Sequence, residues 1–412
     1  MRIKKYILIF LVFLINIFIL DLNVETLAYD NFGSIASESA ILINTENNNV
    51  IYDKNMNKKM SPASTTKILT ALVTIENTIL TEKVTASENA VLSIPAGYVS
   101  ANIKIGETFT VEQLLQMLLV HSANDAANVL AEHVGGSIPS FISMMNTKVS
   151  DLGLTDSNFT NTYGLEENNH YTTSYDLAQI MYNGLKNDTF RKYMSLASCA
   201  IPETNMSGTR AYSNTNELIV PNSPYYYDYA TSGKTGFTTQ AGNCLVSAAF
   251  KNDVELICVV LGGYSTSSQN LSTRFKDSKR LYDYAFDNFC YRNLTEINKV
   301  ITTVNVTDSS GKNIPVDLVA DKSITTYISN NDFKKIIPII DVNSNISAPI
   351  STSDVLGTIT FKINNTEYSA NLISSKDVYS NLSLMYTLAM IFGFIFLLGI
   401  IKIIIHKIRI KN

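Results

Sequence analysis

At 412 residues, 46% hydrophobic and 17% charged, the chain is long enough to bury one large core or two smaller ones. Its formal net charge of -4 offers no basic surplus for a phosphate backbone, so nucleic acid is not an expected partner. Four cysteines, Cys199, Cys244, Cys258 and Cys290, lie without paired or metal-like spacing and read as unpaired thiols, mostly buried. Neither a metal nor a cofactor is expected.

The N-terminus places Arg2, Lys4 and Lys5 before an apolar run over 6–20, then "ETLAYD". A run of 15 residues is short for a membrane span of about 20. With a small residue at Ala28, the segment predicts a secretory signal over 1–28; an uncleaved anchor is the alternative. "AILINTENNNVIYDKN" reads as two strands about a turn at 46–49. "MSPASTTKILTALVTIEN" then predicts a helix from about Ser64 to Glu76. At 100° per residue, Ser64, Lys67, Ile68, Ala71 and Ile75 share a stripe while Leu69, Leu72 and Val73 cover other faces. A helix apolar nearly all round packs inside a domain, so its two polar members must be partnered or used.

"TVEQLLQMLLV" and "DAANVLAEHV" are helical segments interrupted at 121–124, and "SFISMMNTKVSDLGL" is another helix. "TTSYDLAQIMYNGLKN" opens with Thr173 and Asp176 at capping-box spacing. Three strand candidates follow: the approach to Lys234, "NCLVSAAF" and "VELICVVLGGY". A last helix runs through "STRFKDSKRLYDYAFDNF". Strands at both ends with helices between predict an α+β domain, one antiparallel sheet covered by helices, over 29–295. From about Val300 the pattern alternates with period two, which predicts a small all-β domain over 296–375 and a linker over 376–381. Residues 382–401 carry no formal charge and are followed by Lys402, Lys407, Arg409 and Lys411. A transmembrane anchor over 382–405 and a cytoplasmic tail over 406–412 follow, with the body outside the cell membrane.

A serine hydroxyl is a weak nucleophile until a base within about 3 Å takes its proton. Ser64 and Lys67, one helical turn apart, meet that need if the lysine is neutral, which requires desolvation and nearby positive charge. "VHSANDAA" places Ser122 and Asn124 in a break between helices, where side chains can face a cleft. "TSGKTGFTTQAGNCLVSAA" places Lys234, Thr235 and Gly236 on a strand edge; the glycine leaves room for a substrate backbone alongside.

Ser-x-x-Lys, Ser-Ala-Asn and Lys-Thr-Gly in this order resemble the signature of the penicillin-recognising serine enzymes. "PASTTKILTAL", "HSANDAANVLAEH", "NTYGLEENNHYTTSYDLAQI", "SGKTGFTTQAGNCLVSAA" and "TRFKDSKRLYDYAF" are similar to blocks of the low-molecular-mass D-alanyl-D-alanine carboxypeptidases, over about Glu38 to Phe289. "SAPISTSDVLGTITF" is similar to that family's C-terminal β domain.

The resemblance implies a β-lactamase/transpeptidase-like fold and removal of the terminal D-alanine from peptidoglycan stem peptides, with β-lactams as covalent inhibitors. It implies Ser64 as acylated nucleophile, Lys67 as its general base and Ser122 as relay of a proton to the leaving amine. Asn124 would hold the substrate amide, Lys234 would supply positive charge, Thr235 would hydrogen-bond, and Arg274 would bind the terminal carboxylate with its planar fork. The oxyanion hole would be the backbone N–H groups of Ser64 and Phe237. Some members carry His where this chain has Phe237, which bears on substrate preference.

His170 and Asp176 read as structural, His121 and Asp125 as cap or packing residues, and Glu166 and Glu167 as a solvated loop. Other functions remain open. They are a DD-endopeptidase using the same residues, a class A β-lactamase, against which the positions four after Glu166 and Glu167 are His170 and Tyr171 rather than Asn, and a catalytically silent sensor or wall-binding protein.

Overall fold

Short runs of Ile, Val, Leu and Ala without polar interruption form strands covered on both faces. In the computed structural model the described residues are 33–411 except 267–270 and 364–365; the expected signal segment lies outside them. Five strands build the principal sheet: β1 (Ser39–Asn44), β2 (Val50–Lys54), β3 (Ala230–Thr238), β4 (Gly242–Lys251) and β5 (Val254–Gly263). Their order is β2-β1-β5-β4-β3 with every pairing antiparallel, so β3 is an edge.

Period two sorts the side chains. Ile41, Ile43, Val246, Ala248, Ile257, Val259 and Leu261 enter the core shared with the helices. Those helices include α1 (Lys67–Asn77), α2 (Asn124–Gly135), α3 (Ile138–Asp151) and α4 (Ser174–Gly184). On the opposite face, Ser247 Oγ lies 2.8 Å from the hydroxyl of Tyr282 on α5 (Thr273–Asn288). Asp277 of α5 accepts hydrogen bonds from the backbone and hydroxyl of Ser37, both at 2.7 Å, and so holds the start of β1.

α1 is buried from Lys67 through Thr74, as an all-round apolar helix must be. Thr173 caps α4 by accepting from Asp176 N at 3.0 Å. Elements that sequence periodicity did not single out are short. The helices Glu88–Leu92 and Asp188–Met194 are carried by the caps Ser87 and Asn187, and two hairpins join Lys83–Thr85 to Thr108–Thr110 and Ser198–Ile201 to Arg210–Ser213.

The chain divides into two compact units within α5, between Tyr284 and Ala285. The sequence pattern puts the boundary after 295, whereas the strand β6 (Phe289–Thr295) pairs with β9 (Ile324–Ser329), inside the second unit. That unit also holds β7 (Val300–Thr307), β8 (Asn313–Ala320), β10 (Ile339–Val342), β11 (Val355–Ile363) and β12 (Thr366–Ser374), in a sheet ordered β7-β8-β12-β11-β10. Its core gathers Val306, Val316, Leu318, Ile359, Phe361 and Leu372. A final helix, α6 (Asn381–Lys411), contains a stretch from Met385 to His406 of mean hydropathy 2.8, about 33 Å long at 1.5 Å per residue and long enough to cross hydrocarbon.

Candidate active site

The segment leading into α1 departs from a regular α-helix. Ala63–Thr66 form a 3-10 turn, and α-helical hydrogen bonding begins only at Lys67. Residues i and i+3 eclipse in a 3-10 turn rather than being offset. Ser64 thereby stands directly over Lys67, whose Nζ is 2.9 Å from Ser64 Oγ. Ala63, immediately before, has a positive φ of 47°, a conformation costly to a residue with a Cβ. Lys67 is wholly buried while Ser64 keeps part of its surface open. Burial first, and the charge of Lys234 second, hold the Lys67 amine well below the ordinary lysine range; Asp125 opposes them. Lys67 Nζ also donates to the carbonyl of Tyr163 at 2.8 Å.

β3 supplies the facing wall. Lys234 pairs across the strands with Val246 and Gly236 with Cys244, both partners in the helical core, so period two turns Lys234 and Gly236 toward α1. Lys234 is wholly buried and donates to its neighbour's carbonyl, Thr235 O, at 2.9 Å. Burial and then the Arg274 guanidinium push its amine down to about 7. A Cβ built on Gly236 would lie 3.0 Å from Pro62 O, Ala63 Cβ and Ser64 N. The missing side chain at Gly236 therefore lets the turn bearing Ser64 approach β3 closely. Arg274 reaches back from the first turn of α5, its Nη1 donating to Gly236 O at 3.1 Å, and its buried Nε has no partner among the described residues. Phe237 is 63% exposed at the same edge.

The break in the helices is linked to β3 through Thr215. Met117–His121 widen into a π turn that ends at Ser122 in the left-handed region, φ 67° and ψ 29°. Asn124 opens α2, its N–H donating to Val99 O at 3.0 Å, and neither Ser122 Oγ nor the Asn124 side chain has a hydrogen-bond partner among the described residues. Thr215 joins this break to β3: its N–H donates to Val120 O at 3.3 Å, and its hydroxyl lies 2.6 Å from that of Thr235.

The residues read as structural take such places. Asp125 accepts from Ser100 Oγ (2.5 Å) and from the N–H groups of Ala101 and Ile103 (both 3.0 Å), clamping the neighbouring loop. His121 stacks on Tyr212. Asp176 accepts from Ser157 Oγ at 2.6 Å. His170 accepts from Thr160 N–H at Nδ1 (3.0 Å), so its Nε2 carries the hydrogen directed at Thr66 Oγ1 (3.0 Å), and burial pushes its pKa down to about 4. Glu166 accepts from Gln240 N at 3.2 Å and Glu167 is exposed. All four cysteines are free thiols. The Tyr163 carbonyl and Thr215 escaped sequence reasoning: every residue owns a carbonyl, and an isolated threonine carries no spacing signal.

A family model described as D-alanyl-D-alanine carboxypeptidase matches residues 25–265, more than half of the chain. The chain belongs to the D-alanyl-D-alanine carboxypeptidase family. A second model, the C-terminal domain of penicillin-binding protein 5, matches residues 289–380. D-alanyl-D-alanine carboxypeptidase DacF of Bacillus subtilis is 32% identical over 335 residues, covering 79% of this chain and 81% of the relative. A D-alanyl-D-alanine endopeptidase of Escherichia coli is 28% identical over 250 residues, covering 60% of this chain and 76% of the relative. Among solved structures, penicillin-binding protein 5 from Haemophilus influenzae aligns with a TM-score of 0.62 at 26% identity, covering 84% of this chain and 99% of that one. The fold is accordingly the transpeptidase-like α+β fold with a C-terminal all-β domain, and membership makes the chain a serine hydrolase of this family.

Proposed function

We propose that this enzyme removes the terminal D-alanine from peptidoglycan stem pentapeptides through an acyl-enzyme on Ser64. The observation that carries the reading is the 2.9 Å contact between Ser64 Oγ and a wholly buried lysine, with a second wholly buried lysine depressing its proton affinity. Neutral Lys67 takes the Ser64 proton as Oγ attacks the carbonyl of the penultimate D-alanine. The N–H groups of Ser64 and Phe237 receive the oxyanion; that of Ser64 lies in the first turn, where N–H groups have no intrahelical partner. Ser122 passes the proton to the departing amine. Lys234, Thr235 and the Arg274 guanidinium, whose fork is already part-engaged by Gly236 O, hold the terminal carboxylate, while Asn124 holds the amide. Water then splits the ester and restores the Ser64 hydroxyl. A β-lactam would acylate the same oxygen but keep its leaving nitrogen tethered, so deacylation is slow.

A two-domain body, the secretory signal over 1–28, and anchoring of an extracellular body by 382–405 are part of the same proposal. Support for the anchor comes from the length and hydropathy of the Met385–His406 stretch and the basic residues after Ile401. Deleting 382–412 is expected to release active protein from the membrane fraction; retention there would assign anchoring elsewhere.

The decisive experiment is mass spectrometry of the full-length chain with benzylpenicillin, before and after Ser64→Ala. An adduct on Ser64 that disappears in the variant is expected, and an adduct persisting in the variant removes the reading. Release of D-alanine from a pentapeptide, compared with cleavage of a cross-linked dimer, separates carboxypeptidase from endopeptidase action.

A further inference from the structure

We infer that Asn161 is a positioning residue for the reaction, shaping the loop after it so that the Tyr163 carbonyl takes one N–H of Lys67 and turns the amine's lone pair onto Ser64. This rests on the proposed role of Lys67 as base.

A 2.9 Å contact between Lys67 Nζ and Ser64 Oγ does not by itself make a base. A neutral amine has two N–H groups and one lone pair, and it could equally donate to Oγ, leaving the serine proton in place. What selects the productive rotation is an acceptor elsewhere, and the Tyr163 carbonyl at 2.8 Å is that acceptor.

One side chain gathers the backbone around this carbonyl. Asn161 Oδ1 accepts from the backbone N–H groups of Tyr163 (3.3 Å), Gly164 (2.7 Å) and Leu165 (3.1 Å), and its Nδ2 donates to Leu165 O (2.8 Å). Asn161 is 4% exposed, so losing it leaves buried N–H groups unpaired. The remaining fixings act on the residue before: Thr70 Oγ1 donates to Thr162 O (2.6 Å), and Thr162 Oγ1 donates to Asn128 Oδ1 (2.7 Å). Gly164, at φ +94°, closes the loop against the nucleophile's turn, where a Cβ would lie 1.8 Å from Ala63 O.

Because a carbonyl acceptor favours the ammonium over the amine, the inference carries a sign. The charged groups acting on Lys67 are Lys234 on β3 and Asp125 on α2, and substitution at 161 removes neither.

The test is the pH profile of benzylpenicillin acylation in full-length native enzyme, Asn161→Ala, Asn161→Asp and Lys67→Ala. Asn161→Ala is expected to acylate on the order of tenfold to a hundredfold more slowly, with its acidic limb moved to lower pH. Asn161→Asp keeps the acceptor of the three N–H groups and adds a negative charge. It is expected to recover the rate above its limb, which moves to higher pH. An Asn161→Ala enzyme that acylates at the native rate, or slowly with an unmoved profile, overturns the inference. If Asn161→Ala does not fold, an unmoved limb in Asn161→Asp overturns it instead. Failure of the underlying reading looks different: native enzyme without an adduct, or Lys67→Ala acylating at the native rate.

Discussion

The α1 wall and the β3 wall of the cleft each carry a lysine with no surface open to water, yet the two amines meet different company. Lys67 has a hydroxyl at 2.9 Å and a carbonyl at 2.8 Å; among the described residues Lys234 has only the carbonyl of the next residue on its own strand. Burial lowers both proton affinities, so desolvation alone does not distinguish them. What differs is that one amine has a proton to collect within hydrogen-bonding reach and the other does not. The first geometry suits a base, and the second supplies positive charge only below its pKa of about 7.

The largest expected effect breaks the α1 side. Lys67→Ala should lower the acylation rate by a factor on the order of a thousand, within the range for losing a general base, while the melting transition persists. A native acylation rate in that variant would remove the assigned base. Lys234→Gln should act more mildly, on the order of tenfold to a hundredfold, and should move the acidic limb upward, because the charge that depresses Lys67 is gone. A limb that does not move would mean that burial alone sets the Lys67 amine.

The smallest effect sharpens the comparison through stability rather than rate. His170 supports the α1 turn through Thr66, and burial shifts its pKa from 6.5 to about 4. A buried base with a lowered pKa binds fewer protons folded than unfolded, so stability falls as pH drops from 6.5 toward 4, by up to about 3 kcal/mol. Urea unfolding at a series of pH values should show this slope, and His170→Gln should flatten it. An unchanged slope in the variant would place the titration on another group.

Much of the site was legible from local spacing. Ser64 and Lys67 are joined by covalent distance on any right-handed helical turn, and the apolar residues around them required burial. The Ser122–Asn124 break and the Lys234–Gly236 edge announced themselves as interruptions of pattern. Other features were not legible for physical reasons. A 3-10 turn and the first turn of an α-helix share a residue pattern, so the eclipsed arrangement of Ser64 over Lys67 had no signal. The close approach of Pro62–Ser64 to Gly236 had no signal either, because they are far away in the chain. A strand directly after a helix lacks its own punctuation, so β6 is recognisable as part of the second unit only through its pairing with β9.

By itself the sequence determined which chemical groups exist and which lie within one turn of each other: a hydroxyl and an amine on a helix that must be buried, and a lysine and glycine on an edge strand. Burial follows from apolar periodicity, a local property. Tertiary structure alone decided that two lysines distant in the chain are both wholly buried and act on each other electrostatically, and that a backbone carbonyl 96 residues beyond Lys67 meets its amine. Proton affinity and lone-pair direction depend on what surrounds a group in space, and chain order does not encode that directly.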